Sequence, residues 1–254
     1  MDLKNWVREA AIRPRWIPYH LGNALRRRAD RTSHINMVDQ FPNYVVPLPD
    51  ALGKILAVPP AEIAAILDGY SAPELASSGS NIPQAWSASH NLLQIYFVIC
   101  RVLKPHVVVE TGVATGISSA LLLRELARIE SARLISIEMP GLGRADLTYI
   151  GSSVPSHLKS NWTPVVAPAV PALRNMRNLF GKVDIFIHDS DHAYDNQLRE
   201  YRIAMTLLAP GGILVSDDVN NDAFLEICRA SELVPVLVHR REQQGHIGLT
   251  RKPR

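Results

Sequence analysis

Four aspartates and two histidines fall in two short stretches of this sequence, Phe186-Ile-His-Asp-Ser-Asp-His-Ala-Tyr194 and Val215-Ser-Asp-Asp-Val219. Each stretch begins as an apolar, β-branched run, so Asp189 ends one expected strand and Asp217 and Asp218 end the next. Neighbouring parallel strands lie ~4.8 Å apart, which would bring the three carboxylates together at the carboxyl edge of a sheet. Such a cluster repels itself unless it is protonated or neutralised. A divalent cation answers that need, and all-oxygen ligands suit Mg²⁺, Mn²⁺ or Ca²⁺ better than zinc. Nitrogen ligation by His188 and His192 would shift the choice toward a transition metal. His192, three residues past Asp189, would overhang the same edge, where a neutral imidazole can take a proton from a hydroxyl. A bound metal would lower that hydroxyl's pKa. Taken singly, Asp218 reads as a helix N-cap, Asp191 as a turn residue and His188 as a core histidine. Together, on two adjacent strand ends, they read as a site with Asp189, Asp217 and Asp218 as metal ligands and His192 and Asp189 as catalytic groups.

A second constellation precedes it. In Val107-Val-Val-Glu-Thr-Gly-Val-Ala-Thr-Gly-Ile-Ser118 a strand runs through a turn into a helix. Gly112 and Gly116 would let the backbone bend tightly and approach a ligand over the strand ends. Thr115 and Ser118 can satisfy the free amides of the helix start. Glu138 ends the following strand and can accept the two ribose hydroxyls of an adenosine. A dinucleotide would fit this outline, but the loop lacks the three-glycine pattern that seats a pyrophosphate on a helix N-terminus. Glu110 beside the loop would repel a pyrophosphate and attract the ammonium and sulfonium charges of S-adenosylmethionine. The expected cofactor site is therefore Glu110, Gly112, Thr115, Gly116, Ser118, Glu138, Met139 and Asp189, with S-adenosylmethionine as its occupant.

These residues need a frame that sets strand ends side by side. Helical patterns are expected over Ser87–Leu103, Ile117–Ile129, Asn196–Leu208 and Ala223–Ala230. Strands are expected over Val107–Thr111, Leu134–Glu138, Thr163–Ala167, Val183–His188 and Ile213–Asp217, the last entered by a sharp turn at Pro210-Gly211-Gly212. Alternating strands and helices imply right-handed crossovers and a mainly parallel sheet. Leu233–His239 and His246–Thr250, joined by a polar turn at 240–245, must pair antiparallel. The expected fold is thus a Rossmann-like α/β domain over residues 87–254 with a C-terminal β-hairpin. Residues 1–86 read as a helical and irregular cap, rich in proline, with short helices over Asn5–Ile12 and Ala61–Leu67 and a loop at Ser77–Ser80. This cap and residues 141–160 would form the lid and substrate wall.

The 254 residues, 47% hydrophobic and 20% charged, suit a globular protein with one large core. No run is long and apolar enough for a membrane span, and Lys4, Arg8, Arg13 and Arg15 interrupt any signal-peptide core. Cys100 and Cys228 sit in apolar stretches without metal or disulfide spacing, as expected of a cytoplasmic protein with reduced thiols. Residues 1–31 carry eight basic and three acidic side chains. With Trp6, Trp16, Ile17 and Tyr19, this arm could meet an anionic membrane, but a solvated helix or packing on a second copy of the chain is the favoured reading. Nothing else in the charge pattern points to nucleic acid.

Four stretches also resemble a known family. Val109-Glu-Thr-Gly-Val-Ala-Thr-Gly-Ile-Ser-Ser119, Ile135-Ser-Ile-Glu-Met-Pro140, Val183 to Tyr194 and Leu208-Ala-Pro-Gly-Gly-Ile-Leu-Val-Ser-Asp-Asp218 resemble the class I S-adenosylmethionine-dependent methyltransferases. The nearest branch is the bacterial group called methyltransferase family 24, and the resemblance spans about residues 87–250. The acids at Asp189, Asp217 and Asp218 are also similar to those of metal-dependent O-methyltransferases of the catechol and caffeoyl-CoA type. There an Asp-Asn pair stands where this sequence has Asp217-Asp218. The catalytic lysine of those enzymes falls on His192, which implies a histidine base. The acidic residue found near adenine in the family is missing from Val166-Ala-Pro-Ala-Val170. The resemblance implies O-methylation of a small hydroxylated acceptor, such as a sugar or polyketide-type hydroxyl, assisted by a divalent cation, Mg²⁺ by preference. The rival readings are a metal-independent or nitrogen-directed methyltransferase, a nucleotide-linked oxidoreductase, and a non-catalytic binding protein.

Overall fold

The computed structural model describes residues 2–29, 44–74, 88–240 and 245–254, without the side chains of residues 27–29. Its seven-stranded sheet consists of β1 (Val107–Thr111), β2 (Arg133–Glu138), β3 (Trp162–Val166), β4 (Val183–His188), β5 (Leu208–Ser216), β6 (Val236–His239) and β7 (His246–Arg251). Their spatial order is β3-β2-β1-β4-β5-β7-β6. Strands β1 to β5 run parallel to one another, and β7 pairs antiparallel with both β5 and β6. This is the expected Rossmann-like sheet with its closing hairpin.

Strand alternation explains why both faces are covered. Val108, Ile185, Ile187, Ile213, Val215, Ile247 and Leu249 point into one core cluster, while Val109, Phe186 and Leu214 point into the other. Helices α3 (Leu48–Leu56), α4 (Pro60–Asp68), α5 (His90–Leu103) and α6 (Ile117–Leu126) contribute to the first cluster. Helices α7 (Ala169–Asn175), α8 (Tyr194–Leu207) and α9 (Ala223–Ala230) build the second. Residues 46–68 therefore contribute to the first core beside the sheet, while Val45 packs against the second and forms a parallel bridge to Leu237. No described helix is long and apolar enough to cross a membrane.

Several boundaries differ from expectation for local reasons. The first helix, labelled αN1 here, spans Leu3–Ile12 because the side chain of Asp2 caps it, accepting from Lys4 N at 3.0 Å. A second, αN2 (Ile17–Ala29), and α3 were not expected, since Pro18, Pro47 and Pro49 suggested irregular chain. Proline in a first turn starts a helix as readily as it ends one. Ser89 caps α5, its Oγ accepting from Leu92 N, so that helix opens at His90. Ile117–Ile129 closes at Leu126, with turn bonds over the next residues. Asn196–Leu208 runs instead from Tyr194 to Leu207. The turn expected at Pro210-Gly211-Gly212 lies inside β5, as an irregularity in the pairing with β4 where Gly211 takes φ +79°. The final strands cover Val236–His239 and His246–Arg251, and α7 was not expected. Ser87, the loop at Ser77–Ser80 and residues 241–244 lie outside the described residues.

Candidate active site

A crevice of about 1450 Å³ opens along the carboxyl ends of β1, β2, β4 and β5, where open α/β sheets bind ligands. Its cofactor half is made largely of backbone. Gly112 takes φ +86°, and a Cβ there would lie 1.9 Å from the carbonyl oxygen of Asp189. Only glycine lets the β1 turn pass so close beneath the end of β4. Asp189 N donates to Thr111 O at 2.8 Å, continuing the ladder past both strands. Glu138 reaches across the loop, and its Oε2 accepts from Val113 N at 2.7 Å and Ala114 N at 3.0 Å. Burial pushes its pKa up, against these two amides and Arg144, which pull it down. Gly112, Ser118, Glu138, Met139 and Asp189 line the crevice, as expected of cofactor contacts.

Three members of the expected set stand elsewhere. Glu110 is buried under the loop, and its Oε1 accepts from Ser119 Oγ and, at 2.6 Å, from Ser136 Oγ. Trp162 Nε1 donates to the same Ser136 Oγ at 2.7 Å. Burial pushes the Glu110 carboxyl up to about 7, the two serines opposing. Its role is to brace the loop, because it does not face the crevice. Gly116 has φ +84°, and a Cβ there would meet Gly151 Cα at 2.9 Å, so it serves packing against the 151 turn rather than ligand approach. Gly116 is itself the N-cap of α6, with no side-chain cap, so Thr115 and Ser118 do not perform the capping expected of them. Thr115 is buried, its backbone carbonyl accepting from Ser153 N at 2.8 Å.

The acceptor half is made of side chains from distant segments. Asp189, His192, Asp217 and Asp218 converge as the strand ends predicted. His192 Nε2 lies 3.6 Å from Asp189 Oδ1 and 3.7 Å from Asp218 Oδ2. Both distances exceed a direct hydrogen bond. Burial and the nearby His188 lower the His192 pKa to about 4, despite Asp218 and Asp191, so its imidazole is neutral at ordinary pH. Burial, then Asp217 and Asp218, raise Asp189 well above the carboxylate range. Asp217 rises to about 6 through burial, with Arg240 pulling the other way.

Two functional-site residues were not found from sequence. Arg240, from the end of β6, sets Nη2 3.2 Å from Asp217 Oδ2 and pairs Nη1 with Asp218 Oδ1. Glu200 of α8 is fully buried and gathers Thr111 Oγ1 (2.6 Å), His188 Nδ1 (2.8 Å), Ser190 Oγ (2.8 Å) and Asn196 Nδ2 (2.9 Å). This network fixes the β4 end from below, with His188 stacked edge-on against both His192 and Tyr201. Asn196, four residues before Glu200 on α8, was a usable signal for that network; Arg240 gave none, since a lone arginine beside a turn is ordinary.

The donor set fits the two expected groups differently. For S-adenosylmethionine the fit is good: a bent loop open to the crevice, an acid on its rim, and no amide cradle of the three-glycine kind. For a divalent cation it is poor. Asp217 and Asp218 already hold a guanidinium, and among the described residues no group of three or more His, Cys, Asp or Glu is arranged to hold a metal ion.

The N-terminal arm lines one side of the crevice. Glu9 of αN1 is fully buried and takes Arg13 through two contacts of 2.9 Å, Gly143 N at 2.8 Å and His20 Nε2 at 3.3 Å. Arg13 also donates to Arg144 O at 2.8 Å. The arm is thereby fastened to the loop after β2, and Trp6, Tyr19, His20, Asn23 and Arg26 face the crevice opposite Tyr149 and Leu142.

Residues 109–219 match the methyltransferase-domain family. No curated protein matches the chain. Among solved structures, it is similar to the O-methyltransferase from Bacillus cereus in complex with SAH, at 16% identity, covering 81% of this chain and 97% of that one with a TM-score of 0.52. It is also similar to the O-methyltransferase TomG from Streptomyces achromogenes, involved in tomaymycin synthesis and in complex with SAM, at 15% identity, covering 81% and 90% with a TM-score of 0.53. At these identities the likeness is one of fold. Fold, loop and domain match agree: residues 109–219 form a methyltransferase domain, set in a sheet of the Rossmann-like methyltransferase kind.

Proposed function

We propose that the chain methylates a hydroxyl of a small acceptor, with His192 as the base. The observation that carries this reading is the neutral imidazole of His192, facing the crevice between two carboxylates it does not touch directly. The solved structures similar in fold include two described as O-methyltransferases, which supports oxygen as the target. The partly covered crevice favours a small metabolite, a sugar or polyketide-type hydroxyl among the candidates, over nucleic acid.

Glu138 would hold the ribose of the donor, and Gly112, Ser118 and Met139 would wall its remaining length. When bound, S-adenosylmethionine supplies a methyl carbon on a positively charged sulfur, which leaves as a neutral thioether. The acceptor hydroxyl sits in the gap beside His192 Nε2, which takes its proton. Asp218, 3.7 Å away, then stabilises the imidazolium that results. The aromatic and basic side chains of the N-terminal arm orient the acceptor and exclude water. Asp217 and Asp218, two of the acids that would hold a metal, are already paired with Arg240.

Transfer of labelled methyl from S-adenosylmethionine across a panel of hydroxylated and amino acceptors tests the reading. Labelled ethers formed by wild type and not by His192→Ala support it. Exclusive labelling of amines would replace it with a nitrogen-directed reaction.

A further inference from the structure

The acid cluster poses a charge problem that the fold solves with its own side chain. Asp189, Asp217 and Asp218 crowd one strand edge, and carboxylates so placed are relieved by protonation or by a neutralising cation. The Arg240 guanidinium lies against two of them. Its side chain is only 8% exposed, so it is a built-in part of the wall and not a surface group resting on it. The hairpin holds it there, with Arg240 N donating to Gly245 O at 3.2 Å. Its buried Nε has no hydrogen-bond partner among the described residues although the residue faces the crevice, and the Oδ1 of Asp217 has none either. A polar group nine-tenths buried and left unpaired calls for a ligand.

We infer that Arg240 takes both the place and the role of a divalent cation at this cluster: it balances the acids and its unpartnered Nε–H donates to the acceptor oxygen. The inference rests on the hydroxyl-methylation reading above and deepens it. A metal ion bound to Asp217 and Asp218 would compete with Arg240 for Asp217 Oδ2 and Asp218 Oδ1 and would sit against a buried positive charge. The two cations exclude each other. Removing the guanidinium should therefore uncover a metal site, because the same acids then stand unbalanced.

The test is Mn²⁺ titration followed by the electron paramagnetic resonance of the free ion, on wild type, Arg240→Ala and Arg240→Lys. Wild type and Arg240→Lys are expected to take up Mn²⁺ only weakly, and Arg240→Ala about tenfold or more tightly than either. Wild-type methyl transfer is expected to be unchanged in excess chelator, while transfer by Arg240→Ala falls about 100-fold and recovers in part with Mn²⁺. Tight stoichiometric Mn²⁺ uptake by wild type, or turnover lost on chelation and restored by Mg²⁺ or Mn²⁺, overturns the inference. An Arg240→Ala protein that folds but gains no Mn²⁺ affinity also overturns it. Should that variant fail to fold, the wild-type uptake and chelation results decide. S-adenosylhomocysteine binding, measured on the same samples, separates a failure of this inference from a failure of the methyltransferase reading.

Discussion

The two halves of the crevice are built on different principles. The cofactor half is local and made of backbone: one strand, one turn and one helix start supply it, and Glu138 reaches in from the neighbouring strand end. The acceptor half is long-range and made of side chains, drawing on β4, β5, α8, the hairpin and the N-terminal arm. A backbone-built half tolerates little change in shape, while a side-chain-built half can be altered residue by residue. On the proposed function, the first would fit one donor and the second would be where the acceptor is chosen.

Breaking the acceptor half should cost chemistry and spare donor binding. His192→Ala is expected to lower methyl transfer roughly 100- to 10,000-fold in stopped assays, with S-adenosylhomocysteine affinity within about twofold of wild type by calorimetry. A parallel loss of donor affinity would erase the division between the halves. Because the His192 imidazole titrates at about 4, the acid limb of kcat/KM should lie well below the ordinary histidine value of 6.5.

Breaking the cofactor half should cost the fold first. Gly112→Ala places a Cβ against the Asp189 carbonyl in a left-handed backbone and is expected to destabilise by about 3 kcal/mol, read from urea unfolding. An unchanged midpoint would show that the β4 end is not pinned there. Glu138→Ala removes the carboxylate from the loop rim and should weaken S-adenosylhomocysteine about 10- to 100-fold, the magnitude of lost hydrogen bonds to a charged group.

Glu110 sharpens the comparison, because it serves the cofactor half from below. Its folded pKa, about 7, stands above the unfolded 4.5, so ionisation opposes folding. Stability tied to this carboxyl is fully present below pH 4.5 and is lost as pH rises toward 7. Relative to wild type, Glu110→Gln should gain about 2 kcal/mol in urea unfolding between pH 5 and pH 8. A pH-independent difference would mean that the carboxyl ionises as freely in the fold as in the open chain.

What could be read in the sequence follows the same division. Apolar β-branched runs such as Val107–Thr111 and Val183–His188 were placed to the residue, and so were the glycines and acids that end them. Period-two burial and turn chemistry are local properties. Pro47 and Pro49 misled because proline marks both a helix start and a break, and the chain alone does not say which. Glu110 was assigned to the ligand because a sequence gives an acid's position along a strand and not the serines, Ser119 and Ser136, that turn it inward. Arg240 was invisible for a harder reason: its meaning comes from Asp217 and Asp218, more than twenty residues away, and arises only when the hairpin folds back.

The most direct test of the central claim is calorimetry of S-adenosylhomocysteine binding to wild type in excess chelator, beside NAD as a rival ligand. The account predicts one site per chain for S-adenosylhomocysteine, indifferent to the chelator, and no heat with NAD. Binding of NAD in place of S-adenosylhomocysteine, or no binding of either, would contradict it.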